Sequence, residues 1–176
     1  IGVQVFASAL LLICSAVFLR SAISASEFNP GFRTADTLVI DVVNDNKRDA
    51  MLQALGSDPT VTAFAGVRPT LLARPPRAFG DVGTGKVALS YKHVSAGYFD
   101  VLGIPIVRGR AFNDADRAGA QPVVIVSESI AHRFWPAADP ISKRLGGAGG
   151  VQTVVGVVPD PRYRDLRQAR ATMYVP

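Results

Sequence analysis

The chain has 176 residues, 48% of them hydrophobic and 19% charged, enough apolar material for a buried core and too little charge for a disordered chain. Its formal net charge is +5. The Lys and Arg residues are scattered, with no five-residue cluster and no interleaved aromatics, which argues against a nucleic-acid partner. One cysteine, Cys14, and two histidines, His93 and His132, exclude an internal disulfide and a cysteine-built zinc site. The length suits one domain, or two small ones, plus accessory segments. With no initiator Met, the chain is expected to be a fragment or a processed form.

Ile1–Leu19 contains no charged residue, and Gln4 is its one strongly polar side chain. A helix of this length, at about 1.5 Å per residue, covers nearly all of a ~30 Å hydrocarbon core. Residues 1–20 are therefore expected to form a transmembrane helix with Arg20 at the interface. Gly2, Ala7, Ser8, Ala9, Ser15 and Ala16 would let it pack closely against other membrane helices. A signal peptide is the competing reading, but its apolar run is shorter and follows a basic start. Here Ser24-Ala25-Ser26 is only a passable cleavage site. A buried core helix is opposed by the charge-free length. If the helix spans, everything after Arg20 lies on one side, free of cysteine as suits an oxidising compartment.

Residues 21–36 read as a juxtamembrane connector, with Asn29-Pro30-Gly31 as a turn. Thr37–Val43 is rich in β-branched residues and is expected to be a buried strand. Asn44-Asp45 can cap a helix to about Leu55, stopped by Gly56, and Val61–Val67 is a second expected strand. Together these predict a β-α-β unit. Arg68–Gly85, with Pro69, Pro75 and Pro76, points to a loop or edge segments. Lys86–Val94 alternates, with Val87, Leu89, Tyr91 and His93 on one face and Ala88, Ser90 and Lys92 on the other.

Val94–Arg110 (VSAGYFDVLGIPIVRGR) is the stretch around which the chain is organised. Ser95 is the expected N-cap of a short helix. Tyr98, Phe99 and Leu102 share its apolar face, and Gly103 can close it in the left-handed conformation. Ile104–Val107 reads as a strand leaving the helix, with Arg108-Gly109-Arg110 ending it in water. Val123–Val126 is a fully apolar strand. Ser127 is the expected cap of a helix carrying the pairs Ile130/Phe134 and Ala131/Trp135, ended by Pro136. Asp139–Leu145 suggests a turn and a short strand, and Gly146–Gly150 a hairpin tip before the strand Val151–Val158. Tyr163–Arg167 reads as helical or irregular, and Met173–Pro176 as a last strand.

Three chemistries are weighed and set aside. With Asp114 at position 1 of a calcium loop, Ala118 falls at position 5 and Ile125 at position 12, where an EF-hand needs an oxygen ligand and Glu. Asp114 and Asp116 are better read as capping a turn. Ser127 and His132 lack a nucleophile elbow and an orienting third group. The glycine loop leads into a strand rather than a helix, which rejects a nucleotide site. No catalytic, cofactor-binding or metal residue is assigned, and no cofactor is expected.

The order of motifs resembles the MacB-like periplasmic core domain of bacterial ABC-transporter permeases, especially duplicated permeases that also carry FtsX-like membrane domains. The resemblance rests on the Gln4–Leu12 helix, Asn29-Pro30-Gly31-Phe32, Val94-Ser95-x-Gly97-Tyr98-Phe99 with Leu102-Gly103-Ile104-Pro105, and Arg108-Gly109-Arg110-x-Phe112 with Asp116. It continues through Pro122–Val126, Ala131-x-Arg133-Phe134-Trp135-Pro136, Asp139-Pro140-Ile141-x-Lys143-Arg144-Leu145 and Thr153–Val158. It implies an α+β fold of mixed sheets with βαβ-type units behind one N-terminal transmembrane helix. The implied domains are a helix at 1–20, a connector at 21–36 and an extracytoplasmic core at 37–176. The implied function is a non-enzymatic permease domain coupling ATP-driven helix motion to export or extracytoplasmic work. Its implied partners are a cytoplasmic ABC ATPase, another permease half or a second copy, and the bilayer through 1–20. The implied location is the bacterial inner membrane, with 21–176 on the periplasmic side. The segment from Lys47 to Lys86 is shorter than the family pattern, which implies an outer subdomain that is reduced or absent, and the FtsX-like helices do not appear. A membrane-anchored binding or assembly module is the alternative reading, and a secreted hydrolase a remote one.

Overall fold

The computed structural model describes residues 2–26, 31–33, 35–42, 45–70, 76–82, 86–117, 119–147, 150–160 and 171–176. Helix α1 spans Gly2–Ser26. It runs through Arg20 and takes in the first residues expected in the connector 21–36. Its side chains through Ser24 are exposed, and Gly2–Ser24 is a 23-residue segment long and apolar enough to cross a membrane. Neither Arg20 nor the serines that follow carries a helix-breaking backbone, so the helix continues past its apolar part.

The remaining elements form a mixed sheet with helices on it. They are α2 (Arg48–Ser57), β1 (Val67–Arg68), β2 (Arg77–Asp81), β3 (Lys86–Val94), α3 (Tyr98–Leu102) and β4 (Arg108–Gly109). After them come β5 (Val123–Ser127), α4 (Glu128–Phe134), β6 (Arg144–Gly147), β7 (Gly150–Val158) and β8 (Thr172–Val175). The sheet runs β3-β8-β5-β7, with β2 and β1 on the outer edge of β3 and β6 and β4 on the outer edge of β7. Asp81 opposite Gly146 joins β2 to β6 and curls the sheet toward closure. β5 runs parallel to β7 and β3 parallel to β8.

Both faces of this sheet are covered, and the alternation of side chains decides what lies where. Val123, Ile125 and Tyr174 point to the α3 side, where Tyr98, Phe99, Leu102, Phe112, Val94 and Val158 complete one cluster. Val124, Val126 and Met173 point to the α4 side, with Ile130, Ala131, Leu145, Val154, Val157 and Leu89. A period-2 strand would put Val154 and Val158 on the same face. They lie on opposite faces because Val155 is an extra residue: Val124 is opposite Val154, but Ile125 is opposite Gly156. This bulge shifts the phase of β7 by one.

Several expected elements are corrected by the structure. Residues 37–42 form no strand, and Leu38, Val39 and Ile40 are exposed by 82%, 51% and 48%. β-branched composition favours an extended chain, but a strand needs a neighbour to pair with, and none among the described residues lies beside it. Of Val61–Val67 only Val67 enters a strand, so no β-α-β unit forms there. The β-α-β connection lies instead at β5–α4–β7. α2 starts at Arg48 after Lys47, with no side-chain cap, and buries none of its residues. The Pro- and Gly-rich 68–85 region, read as a loop or edge segments, contributes β2, which pairs along β3 and meets β6 at Asp81. Ile104–Val107 is not a strand; the pairing begins at Arg108. The Asn29-Pro30 turn, Asn44, and the 163–167 stretch lie outside the described residues.

Candidate functional site

The place where the chain from α1 meets the sheet domain is built around α3. Tyr98, Phe99 and Leu102 are all buried, as their shared face requires. Phe99 is fully buried and packs edge-on to Tyr174 at 5.1 Å and Tyr98 at 5.3 Å, with Phe112 at 6.1 Å. Gly103 takes φ +64°; its N–H donates to the Asp100 carbonyl and the Ile104 N–H to the Phe99 carbonyl. Those two bonds are a Schellman closure, available here because glycine carries no Cβ to oppose the left-handed turn. The N-terminus departs from expectation. Gly97, not Ser95, occupies the cap position. Ser95 instead donates its N–H to the Gly66 carbonyl at 3.0 Å and accepts from the Gly66 N–H at 2.9 Å. It ties the segment before β1 to the start of α3.

The incoming chain docks on the closed end of this helix. Phe32 packs, partly buried, against the aromatic cluster. The Arg33 N–H donates to the Leu102 carbonyl at 2.6 Å, one of the carbonyls that a helix C-terminus leaves without an intrahelical partner. The Arg33 side chain lies over Gly103, with Nε 3.7 Å from where a Cβ would stand. Two residues that follow the apolar helix are thereby fixed to the core: one by apolar packing, the other by a backbone bond.

Beyond α3 the chain returns to the sheet as a strap. The Val107 N–H donates to Val157, and the Arg110 N–H to the bulged Val155 carbonyl at 2.9 Å. Between them Gly109, at φ +75°, faces Gly156. A Cβ on Gly109 would strike the Val155 carbonyl, and one on Gly156 the Arg110 carbonyl, so the close approach needs glycine on both strands. Arg110 then forms a bidentate pair with Asp116, at 2.6 and 2.9 Å. Asp116 also accepts the Asn113 N–H at 2.9 Å. The Arg110 guanidinium, ahead of the Asn113 amide, holds the Asp116 carboxyl below its ordinary pKa. Asp116 thus pins a turn, as expected for these acids.

Ser127 is fully buried and its hydroxyl accepts the Thr172 N–H at 3.1 Å, so it sits at the N-cap position of α4 without capping it. The cap comes from Asp160, which takes the Ser129 N–H at 3.2 Å and the Ser129 hydroxyl at 2.5 Å. His132 is exposed in the last turn of α4. Among the described residues no three His, Cys, Asp or Glu side chains come together as metal ligands. One group escaped the sequence reading: Lys92, which is fully buried. It lies opposite Tyr174 in the β3–β8 ladder, and burial pushes its pKa down to about 8. Alternation alone put Lys92 off the Leu89 face, but could not tell that the second face is covered too.

Comparison with known proteins fits this architecture. The chain superposes on the extracellular domain of YknZ, a noncanonic ABC-type transporter from Gram-positive bacteria. The TM-score is 0.53 and the identity 19%, over 84% of this chain and 64% of that one. It also matches the periplasmic region of MacB from Actinobacillus actinomycetemcomitans, with TM-score 0.48 and 22% identity over 57% of this chain and 44% of that one. The chain therefore spans about half to two thirds of the lengths of these two. No curated protein matches. The profile of the MacB-like periplasmic core domain covers residues 8–176, nearly the whole chain, and the protein belongs to that family of periplasmic permease domains.

Proposed function

We infer that the chain is the extracytoplasmic module of an ABC-transporter permease subunit, and that it receives membrane-helix motion through the Phe32–Arg33 joint on α3. The single observation that carries this reading is the Arg33–Leu102 bond beside the packed Phe32 ring. It joins the segment after a 23-residue candidate membrane span to a helix whose Tyr98, Phe99 and Leu102 are all buried. Such a fixed contact gives a displacement of the membrane helix a direct route into the domain. Conversion of nucleotide energy would occur on a separate cytoplasmic ABC ATPase, with the second permease half or a second copy completing the assembly. Residues 1–20 lie in the bacterial inner membrane in this reading, 21–36 connect, and 37–176 face the periplasm. The role is mechanical, with no catalytic residue of its own.

Two measurements test the reading. Alkaline phosphatase fused after Pro176 should be active in cells, with the chain resistant to carbonate extraction. The permease expressed from its whole gene should copurify with an ABC ATPase. A fluorescent cytoplasmic reporter at the same fusion point, or a mature protein lacking α1, would favour a different topology and sink the transport role. Correct topology without an ATPase partner would favour the anchored assembly module.

A further inference from the structure

The outer edge of β7 gathers basic residues that lie far apart in sequence. Arg144 is opposite Thr153, the Lys143 carbonyl accepts the Val154 N–H, Arg110 donates to Val155, and Arg108 is opposite Val157. Four cationic residues thus occupy stations along five residues of one strand, a length of roughly 13 Å at ~3.3 Å per residue. All four are exposed. Asp116 engages Arg110 but leaves its side chain 47% exposed, and Asp139 directs a carboxylate oxygen to the Ile141 N–H. Arg108, Lys143 and Arg144 have no ion pair among the described residues. Arg108, opposite Val157, and Arg144, opposite Thr153, leave opposite faces of the sheet, so the cations flank this edge from both sides.

We propose that this edge, formed by Arg108, Arg110, Lys143 and Arg144, seats the domain on the anionic phospholipid headgroups of the membrane that α1 enters. The proposal rests on the reading of α1 as a membrane anchor. The tether favours that surface over any free anion. Arg33 follows Ser26 by seven residues, a contour of at most ~25 Å, and is bonded to Leu102. Arg108 follows Leu102 by six residues, at most ~21 Å more. A surface held that near is presented at high effective concentration, so individually weak headgroup contacts suffice. Contact along this edge would hold the domain against the bilayer while the joint at α3 moves with the helix.

The test uses the whole chain in vesicles, with Ser142→Cys carrying a fluorophore in a Cys14→Ser background. Ser142 precedes Lys143 on the same edge. Quenching by headgroup-spin-labelled lipid should rise at least threefold when one third of the phosphatidylcholine is replaced by phosphatidylglycerol. The rise should disappear in half-molar salt and in the combined Arg108→Gln, Lys143→Gln, Arg144→Gln variant, whose circular dichroism should match the parent. Equal quenching in neutral and anionic vesicles, or a rise that survives the triple variant, overturns the proposal. So does binding of soluble polyglutamate to the edge without any lipid dependence, which would assign it to an acidic protein. Carbonate-resistant retention in the same vesicles reads the anchor separately, so its failure is distinguishable from failure of the edge.

Discussion

The backbone N–H of Arg33 is bonded to the carbonyl of Leu102 across 69 positions of sequence, at 2.6 Å. In the proposed reading this contact makes α3 the receiving element for the chain that leaves the apolar helix. The cluster beneath it must then be rigid, because a soft seat would absorb a displacement rather than pass it on.

Phe99 is the measure of that rigidity. Its ring is fully buried among Tyr98, Phe112 and Tyr174. Phe99→Ala is expected to destabilise the domain by ~3–5 kcal/mol, as large-to-small core changes do. A denaturant melt that shows a loss under about 1 kcal/mol would mean that the cavity collapses and the seat is not close-packed.

The two glycines that bracket the strap should differ. Gly103→Ala strains a left-handed residue, costing about 1–2 kcal/mol. Gly109→Ala adds a collision with the Val155 carbonyl and with Ile141 Cδ1 at 2.7 Å, and should cost at least twice as much. Equal melting shifts for the two variants would show that the strap yields freely.

Asp116 predicts an acid limb. Its carboxyl is held below the ordinary value chiefly by the hydrogen bonds from Arg110, so the folded state binds its proton less readily than the unfolded chain does. The stabilisation is fully present above the unfolded pKa of about 3.9 and is lost as pH falls through the lower folded value. Asp116→Asn should remove that limb and cost about 1 kcal/mol at neutral pH, since Arg110 is half exposed. An unchanged acid melting profile in the variant would contradict the assignment.

Lys92 predicts the opposite limb, in base. Its folded pKa is lowered by burial to about 8, against about 10.4 unfolded. Between those values the unfolded state holds more protons, so stability should rise with pH across that window, by roughly 3 kcal/mol in total. Below about 8 the full penalty of burying the charge is present. Lys92→Met should flatten the slope between pH 8 and about 10.4; a slope that persists would assign it to another group.

These residues also show what the sequence could and could not reveal. Tyr98, Phe99, Leu102 and Gly103 were legible because helix periodicity and the glycine stop are local. Lys86–Val94 was legible from alternation, and β5 from its unbroken apolar run. The reading failed where tertiary pairing decides. Thr37–Val43 has strand composition, yet residues 37–42 pair with no described strand. Ser95 and Ser127 look like caps, but each hydroxyl is taken by a distant amide, of Gly66 and of Thr172. The bulge at Val155 and the burial of Lys92 depend on neighbours that no spacing rule names. The joint was half visible: Phe32 stood within a recognised motif, while the Arg33 bond is made by backbone and leaves no side-chain signature.

The central claim is that Phe32 and Arg33 pass helix motion to α3. It is tested most directly by electron–electron distance measurements in the full permease with its ATPase, between spin labels at Asp100 on α3 and Arg133 on α4, with a control pair at Arg20 and Arg133 that follows α1. Addition of ATP should shift both distance distributions. Arg33→Pro removes the donor N–H, and Phe32→Ala the packed ring; combined, they should uncouple the α3 label from nucleotide while α1 still moves. An identical nucleotide-dependent shift between Asp100 and Arg133 in the double variant, or no such shift in the parent, would contradict transmission through this joint.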